Sequence, residues 1–193
     1  MTGEKMARPK SDDRRDSILA AAIRVIAAQG LSAPTAVIAR EAGVSNGSLF
    51  TYFETKADLF NQLYIELKAE TGAAALDGLP TESDIRKQVF HMWSHWLRWA
   101  ASSPEKRRTL AHLDVSDDIT PESREIGHQT MAGAAKLLER SRANGPMRDA
   151  PLGFVVSLMN ALADATVDFM IRDPANANKH SVAAFDAMWR MLV

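Results

Sequence analysis

Apolar residues recur at intervals of three and four along most of the 193-residue chain, which is the spacing of one face of an α-helix. Between Asp16 and Gln29 they form one stripe that stops at Gly30. Nowhere do β-branched and aromatic residues alternate with polar ones over more than four or five positions. The two Asn-Gly pairs, Asn46-Gly47 and Asn144-Gly145, interrupt helical patterns instead of joining two strands. The chain is therefore predicted to be all-α, with about nine helices.

The start and stop residues of these helices divide the chain. Helices are predicted over about 16–29, 46–53, 56–69, 83–99, 121–142, 150–171 and from 181 onwards, with further helices that begin at Pro34 and Pro104. Proline suits a first helical position because its missing N–H would have no partner there. Thr120 and Asp149 are predicted to cap the helices that follow them. Residues 76–80, which include Gly78 and Pro80, are predicted to be a connector.

The composition excludes several classes of protein. The chain contains no cysteine, which excludes disulfide scaffolds, thiolate zinc sites, iron–sulfur clusters and thiol nucleophiles. Its most apolar segment, 152–171, contains Asn160, Asp164 and Asp168, so no membrane-spanning helix and no membrane partner are expected. The first 16 residues lack the apolar stretch of a secretory signal, so a cytoplasmic location is expected. The net charge of -1 does not by itself indicate a nucleic-acid partner.

Residues 34–56 (PTAVIAREAGVSNGSLFTYFETK) have the spacing of two short helices that cross at a steep angle. Ala39 supplies the small residue needed at the contact, and Gly43 supplies the positive φ of a tight turn. The apolar residues that flank the turn are Ile38, Val44 and Leu49. Ser45 is predicted to cap the second helix, over about Asn46 to Phe53. This spacing is typical of a helix-turn-helix, whose second helix enters a major groove of DNA. An ordinary helical hairpin with a glycine turn is the alternative.

Two segments, 15–22 (RDSILAAA) and 38–60 (IAREAGVSNGSLFTYFETKADLF), carry a more specific pattern. Together they resemble the DNA-binding domain of the TetR family of repressors, over about residues 14–63. The resemblance implies an N-terminal three-helix DNA-binding domain at residues 14–55, preceded by a flexible arm at residues 1–13. It also implies a C-terminal helical domain at residues 56–193 that binds an effector and dimerises. The C-terminal sequence indicates no subfamily.

The resemblance also implies a set of DNA-contacting residues. They are Thr35, Ser45, Asn46, Gly47, Ser48, Phe50, Thr51, Tyr52 and Lys56. The amide of Asn46 can pair with adenine, and Gly47 lets the backbone approach the groove closely. Phe50 replaces the family's usual tyrosine, so it can contact a thymine methyl but has lost a hydroxyl. Leu49 and Phe53 are expected in the core.

Phosphate contacts are expected from Lys56, Thr51 and Tyr52, although packing alone is the alternative for the last two. The N-terminal dipole of the helix that begins at Lys56 would assist this lysine. One departure from the family lies at Ala33-Pro34, where members usually have two threonines that cap the second helix and touch phosphate. Thr35, one position later, is the candidate replacement.

Basic residues in the DNA-binding part are few. Residues 1–60 hold only one more Lys or Arg than Asp or Glu. The basic residues of the predicted arm and the first helix are Lys5, Arg8, Lys10, Arg14 and Arg15. They could reach phosphates or the minor groove, and a solvated tail is the alternative. The weak positive charge indicates that specific contacts and two aligned half-sites matter more than bulk electrostatics.

The C-terminal helices are interpreted on family grounds. Residues that could line an effector cavity are Phe90, Trp93, Trp96, Met131 and Met159. Their Trp and Met side chains adapt to an apolar or aromatic small molecule. The predicted dimer interface consists of Val156, Met159, Ala163, Val167, Phe185, Met188 and Trp189. Ordinary monomer core is the alternative for both sets.

No motif in the sequence indicates catalysis, a metal or a cofactor. His91 and His95 are spaced i, i+4 and could share a metal, but no third ligand is identifiable. The sequence therefore predicts a non-enzymatic homodimeric repressor that binds a palindromic operator in double-stranded DNA and is released by a small-molecule effector. The alternative is a helical small-molecule-binding or interaction protein that keeps the fold and binds DNA weakly or not at all.

Overall fold

The computed structural model describes residues 10–193, which form ten α-helices, one short 3-10 helix and no strand. The α-helices are α1 (Lys10–Gln29), α2 (Thr35–Glu41), α3 (Asn46–Leu49), α4 (Lys56–Leu76), α5 (Ile85–Ser102), α6 (Pro104–Asp114), α7 (Pro121–Thr130), α8 (Ala132–Arg142), α9 (Leu152–Arg172) and α10 (Ala177–Leu192), with the 3-10 helix at Pro174–Asn176. The all-α prediction is confirmed. The helix predicted over 121–142 is two helices, because the chain breaks at Met131, and this accounts for the tenth.

Several predicted boundaries need correction. Helix α1 begins at Lys10, so residues 10–13 of the predicted arm are helical, with Asp12 and Asp13 in the positive first turn. The rest of the predicted arm, with Lys5 and Arg8, lies outside the described residues. Pro34 precedes α2 instead of opening it. Helix α9 follows Pro151 without a side-chain cap, so Asp149 does not cap it.

The chain divides into two compact units. The first unit contains the described part of Met1–Glu66 together with Glu105–Arg124. Its fully buried residues include Ile18, Ile26, Ile38, Leu49, Leu59, Leu63 and Leu113. Helix α6 belongs here because Leu113 is buried and the Thr109 hydroxyl donates to the Ile23 carbonyl of α1 at 3.0 Å. This unit therefore extends beyond the boundary predicted at residue 55.

The second unit contains Leu67–Pro104 and Glu125–Val193. Its most buried residues include Val89, Leu97, Val155, Val167, Phe185, Met188 and Leu192. Helices α9 and α10 pack against each other and against α5, and α8 also packs on α5. Helix α4 contributes residues to both units, since the division falls between Glu66 and Leu67.

A buried arginine organises the connection between α8 and α9. The guanidinium of Arg142 donates to the carbonyls of Met147 at 2.6 Å, Arg148 at 3.2 Å and Ala150 at 2.6 Å. Its other end pairs with Glu139 at 2.8 Å. A buried charge is tolerated only when it is paired and hydrogen-bonded, and here both terminal nitrogens of the guanidinium have partners, while Nε has none among the described residues. These contacts fix the course of residues 143–151.

Helix α9 is apolar on more than one side. By length and composition alone it could cross a membrane, contrary to the expectation from its three polar residues, although a core helix of a soluble protein passes the same test. Only 28% of its most apolar window is buried. The exposed large apolar residues on α9 and α10 are Phe154, Leu158, Phe169, Ile171 and Val182. These side chains leave an apolar surface uncovered.

Substitutions at two glycines would test the packing of this unit. A Cβ on Gly145 would overlap the Leu192 carbonyl oxygen, whereas a Cβ on Gly153 would meet nothing within 4 Å. We expect Gly145→Ala to lower the free energy of unfolding by about 1–3 kcal/mol, because the backbone must shift. Gly153→Ala, on α9, is expected to raise it by about 0.5 kcal/mol. Urea unfolding at one protein concentration measures both, and equal effects would contradict the close approach at Gly145.

Candidate nucleic-acid interface

The turn between α2 and α3 has the predicted geometry. Gly43 has φ +70°, a conformation that side-chain-bearing residues rarely adopt. The Gly43 N–H donates to the Arg40 carbonyl at 3.1 Å, and the Val44 N–H donates to the Ala39 carbonyl at 2.9 Å. Ala39 is buried at this point. The small residue and the glycine together let the chain leave α2 and enter α3 within four residues.

Helix α3 is capped as predicted but is shorter than predicted. The Ser45 hydroxyl oxygen accepts from the Ser48 N–H at 3.0 Å. The helix predicted over Asn46 to Phe53 ends at Leu49. Beyond it, the Tyr52 N–H donates to the Leu49 carbonyl at 3.0 Å, an i to i+3 bond that tightens the chain into turns.

All nine residues of the predicted DNA-binding set retain accessible surface. Ser45, Asn46, Gly47, Phe50 and Thr51 are exposed, and Thr35, Ser48, Tyr52 and Lys56 are half-buried. The Phe50 side chain is 40% exposed. Leu49 and Phe53 lie in the core as expected. The segment therefore presents one outward surface and one core-facing surface.

Some hydroxyl groups of this segment form hydrogen bonds within it, whereas the side-chain amide of Asn46 does not. The Thr51 hydroxyl donates to the Ser48 carbonyl at 2.6 Å, and the Ser45 oxygen accepts the capping bond. The Asn46 side chain makes no hydrogen bond to any residue between 10 and 193. An Asn amide has both donors and acceptors, which is the combination that reads adenine in a major groove.

The first turn of α4 positions Lys56. The Thr55 N–H donates to the Asp58 carboxylate at 2.9 Å, and the Asp58 N–H donates to the Thr55 hydroxyl oxygen at 3.0 Å. This reciprocal cap fixes where α4 begins. The ammonium group of Lys56 lies 5.3 Å from the centre of the Phe60 ring, within range of a cation–π contact. A lysine held at a helix N-terminus is well placed for phosphate.

Arg15, a candidate for DNA contact, and Arg24 are both engaged within the first unit. Arg15 forms an ion pair with Glu66 of α4 and lies over the Phe53 ring at 5.8 Å. Arg24 pairs with Glu41 of α2 at 2.8 Å. These partners offset the positive charge of both side chains. Arg15 therefore connects α1 to α4 instead of standing free for DNA.

A polar network that the sequence analysis missed ties α4 to the loop between α6 and α7. The buried amide of Asn61 donates to the Asp118 carbonyl at 2.8 Å, and its oxygen accepts from the Thr120 N–H at 2.9 Å. Arg124 donates to the carbonyls of Asp114 and Ser116 at 2.9 and 2.8 Å. No sequence motif marks this network, because its partners are 57 and 59 residues from Asn61.

Tyr64 lies one turn after Asn61 and joins the same network. Burial, followed by the charge of Asp114, raises the pKa of the Tyr64 phenol above its ordinary value, while Arg124 opposes this effect. The phenol therefore stays protonated and able to donate. Asn61 and Tyr64 hold the loop that leads into α7.

The five residues predicted to line an effector cavity pack mainly against their neighbours. The Phe90 ring meets Phe185 edge-on, with centroids 4.8 Å apart, and the buried Trp93 indole donates to the Ser181 carbonyl at 3.2 Å. Met159 is buried, and Trp96 and Met131 are half-buried. A groove of about 590 Å³ lies on α7 and α8, lined by Glu125, His128, Gln129, Ala132, Ala135, Lys136, Glu139 and Arg140. None of the five predicted residues lines it.

The predicted dimer residues are mostly core residues. Met159, Ala163, Val167, Phe185 and Met188 are buried within the second unit, and Val156 and Trp189 are half-buried. Five of the seven thus have little surface left for a partner. That these seven residues form the interface stays a prediction. Helix α9 is apolar on two sides, and the spacing of Phe154, Leu158 and Phe169 marks its second stripe.

The two histidines of α5 contact each other and a nearby backbone carbonyl. The rings of His91 and His95 stack 3.9 Å apart, and the His91 ring lies 2.6 Å from the Asp77 carbonyl. Burial, then the neighbouring charges of His91 and Arg98, lower the pKa of His95 below its ordinary value. Within the described chain no three His, Asp or Glu residues are grouped as metal ligands.

Comparison with known proteins finds a family model that matches the helix-turn-helix region. The sequence model of the family described as "Bacterial regulatory proteins, tetR family" matches residues 18–63, from α1 into α4. Residues 18–63 therefore match the DNA-binding domain of the TetR family. The chain is similar to the uncharacterized HTH-type transcriptional regulator YhgD of Bacillus subtilis, with 27% identity over 136 residues. That match covers 68% of this chain and 64% of YhgD.

Solved structures of TetR-family regulators share the fold. A TetR family transcription regulator from Marinobacter aquaeolei VT8 superposes with a TM-score of 0.85 at 23% identity, covering 96% of this chain and 98% of that one. The TetR-like transcriptional regulator LfrR from Mycobacterium smegmatis, solved in complex with proflavine, has a TM-score of 0.67 at 19% identity, covering 93% and 97%. These likenesses show that the chain shares the all-helical fold of those proteins, with the helix-turn-helix near its N-terminus.

The Asn61 network predicts a local effect of one substitution. In Asn61→Ala, the Asp118 carbonyl and the Thr120 N–H lose their partner, so we expect the free energy of unfolding to fall by about 1–3 kcal/mol. Amide hydrogen exchange should quicken at residues 116–120 and stay unchanged in α2 and α3. Gln62→Ala, at the adjacent exposed position, is the control. If both variants behave alike, Asn61 does not hold this loop.

Proposed function

We propose that this chain is a homodimeric, sequence-specific DNA-binding regulator, a repressor that a small-molecule effector releases from its operator. The observation that supports DNA binding most directly is the unpaired Asn46 amide on the exposed surface of α3, next to Gly47 and Phe50. In this proposal Asn46 and Phe50 face base edges, and Lys56, Thr35, Thr51 and Tyr52 face phosphates. Ser45 and Ser48 hold the first turn of α3 in place.

A dimer is proposed because one helix-turn-helix reads only a half-site. The exposed apolar residues Phe154, Leu158, Phe169, Ile171 and Val182 are the surface that a second copy would cover. A two-fold axis through this surface would match a palindromic operator. In this proposal the apolar surface is covered by the second copy and does not enter a membrane. The protein is cytoplasmic, where its DNA is.

Effector release is proposed on two grounds. LfrR was solved in complex with proflavine, a planar aromatic ligand, and the second unit of this chain is rich in Trp and Met. Helix α4 contributes to both units, and Asn61 ties it to the loop before α7. An effector that prefers another arrangement of α4 and α7 would lower operator affinity by its differential binding energy. The ligand class is an apolar or aromatic small molecule, and the protein is not an enzyme.

The direct test is fluorescence anisotropy against a duplex from the region upstream of this chain's own gene. We expect sequence-preferring binding that weakens as salt rises. A helical interaction protein that has kept the fold and lost DNA binding is the alternative. Such a protein would not be retained on a heparin column and would show no preference for that duplex.

Two substitutions separate base reading from phosphate binding. Asn46→Ala is expected to weaken the preferred duplex by about 1–3 kcal/mol while leaving unrelated duplexes unchanged, because a base contact is lost. Lys56→Ala is expected to weaken all duplexes alike and to reduce the salt slope by about 1. Competition titrations over a salt series measure both effects. An equal loss of specificity in the two variants would contradict the assignment.

A matched pair of valine substitutions tests the dimer surface. Val182, on α10, is 37% exposed within the apolar surface, and Val115, on the loop after α6, is 83% exposed. We expect Val182→Asp to raise the dimer dissociation constant by at least about tenfold, because a carboxylate is costly to bury. Val115→Asp should leave it unchanged. Analytical ultracentrifugation over a concentration series gives the result, and a dimer insensitive to Val182→Asp would place the interface elsewhere.

A further inference from the structure

The two Asn-Gly pairs of this chain have the same sequence but different surroundings. Asn-Gly is the pair most prone to deamidation, because glycine leaves its backbone nitrogen open to attack the preceding side chain. Whether the reaction occurs in a folded chain depends on whether that nitrogen and the asparagine backbone can move. Asn46-Gly47 and Asn144-Gly145 differ both in how free the glycine nitrogen is and in how firmly the asparagine backbone is held.

Asn46-Gly47 is open and weakly held. Both residues are exposed, and neither the Asn46 side chain nor the Gly47 N–H has a hydrogen-bond partner between residues 10 and 193. Asn46 is the first residue of a four-residue helix. Its backbone rotation would disturb three hydrogen bonds: the 3.3 Å bond from the Phe50 N–H to the Asn46 carbonyl, and the bonds from the Leu49 N–H to the Ser45 carbonyl at 3.1 Å and from the Ser48 N–H to the Ser45 hydroxyl oxygen at 3.0 Å. All three lie within residues 45–50, so no other helix has to open.

Asn144-Gly145 is closed. Gly145 is buried, its N–H donates to the Arg142 carbonyl at 3.0 Å, and it lies against the Leu192 carbonyl. The three carbonyl contacts of the Arg142 guanidinium hold the following residues. Reaction at this pair would first require the α8–α9 connection to open.

We propose that Asn46 is a site of spontaneous deamidation that ends DNA binding as the chain ages. The Gly47 nitrogen bonds to Cγ of Asn46, the Cγ–Nδ2 bond breaks, and the side-chain nitrogen leaves as ammonia with the Gly47 amide proton. Water then opens the succinimide at either carbonyl, which gives aspartate or isoaspartate at position 46. No other reactant and no change of oxidation state are required.

The consequence for binding rests on the proposed function, because it needs Asn46 to face DNA. An aspartate has no amide donor for adenine and adds a negative charge beside the phosphates. It suits the positive N-terminus of α3, so the fold is kept. Isoaspartate adds a backbone carbon between Ser45 and Ser48 and so disturbs the cap between them. We therefore expect both products to bind the operator more weakly while the chain stays folded.

The test is to age the full chain at neutral and mildly alkaline pH and digest it with trypsin. Peptides 41–56 and 143–148 each contain one asparagine and no glutamine, so the mass change from NH2 to OH reports each site separately. We expect conversion of Asn46 to be at least about tenfold faster than that of Asn144 (~1.4 kcal/mol in barrier). Equal rates, or faster conversion of Asn144, would overturn the proposal.

A variant at the neighbouring residue checks the chemistry. A Cβ on Gly47 would meet only the Ser45 hydroxyl oxygen, at 4.0 Å, so Gly47→Ala fits the fold. Its side chain hinders attack by the backbone nitrogen, and conversion of Asn46 should slow at least about tenfold (~1.4 kcal/mol). The mass change is the only readout for this variant. Unchanged conversion would mean that Gly47 is not the nucleophile.

Binding is measured on the aged protein after ion exchange separates the charge variants. With the upstream duplex as probe, the deamidated fraction and Asn46→Asp should bind at least about tenfold more weakly than the intact fraction (~1.4 kcal/mol). Asn144→Asp should bind like the intact chain. Equal binding by intact and deamidated fractions would overturn the inactivation. If the intact chain does not bind DNA while Asn46 still converts, the proposed function fails and the modification site stands.

Discussion

The presentation of α3 depends on the close passage of the chain from α2 at Ala39 and Gly43. Ala39 is buried where a larger side chain would separate the two helices, and the +70° φ of Gly43 reverses the chain without strain. The Ser45 cap then fixes the first turn of α3. With this turn in place, Leu49 and Phe53 face the core, and Asn46 and Phe50 face outwards. The division between core and binding surface follows from one backbone reversal.

The near-neutral charge of the chain is consistent with a binding surface of few, specific contacts. Arg15 and Arg24 have internal acidic partners, so their charge is not available as a general attraction for phosphate. The affinity in our proposal comes instead from placed groups on two half-sites.

The all-α class, the helix-turn-helix and its family could be predicted because they depend on local signals. Gly43, the Ser45 cap and the buried Leu49 follow from residues within ten positions of one another. The length of α3, the break at Met131 and the place of α6 could not be predicted, because tertiary contacts decide them. Thr109 and Ile23, which join α6 to α1, are 86 residues apart. The sequence shows that α9 has more than one apolar stripe, but only packing shows which one is buried.

In the proposed complex, two copies present α3 to successive major grooves of one operator. Hydroxyl-radical footprinting of the region upstream of this chain's own gene would show this arrangement. We expect two protected patches, about 10 base pairs apart between centres, that appear together as the protein concentration rises. A single patch, or even protection along the duplex that salt removes, would contradict it.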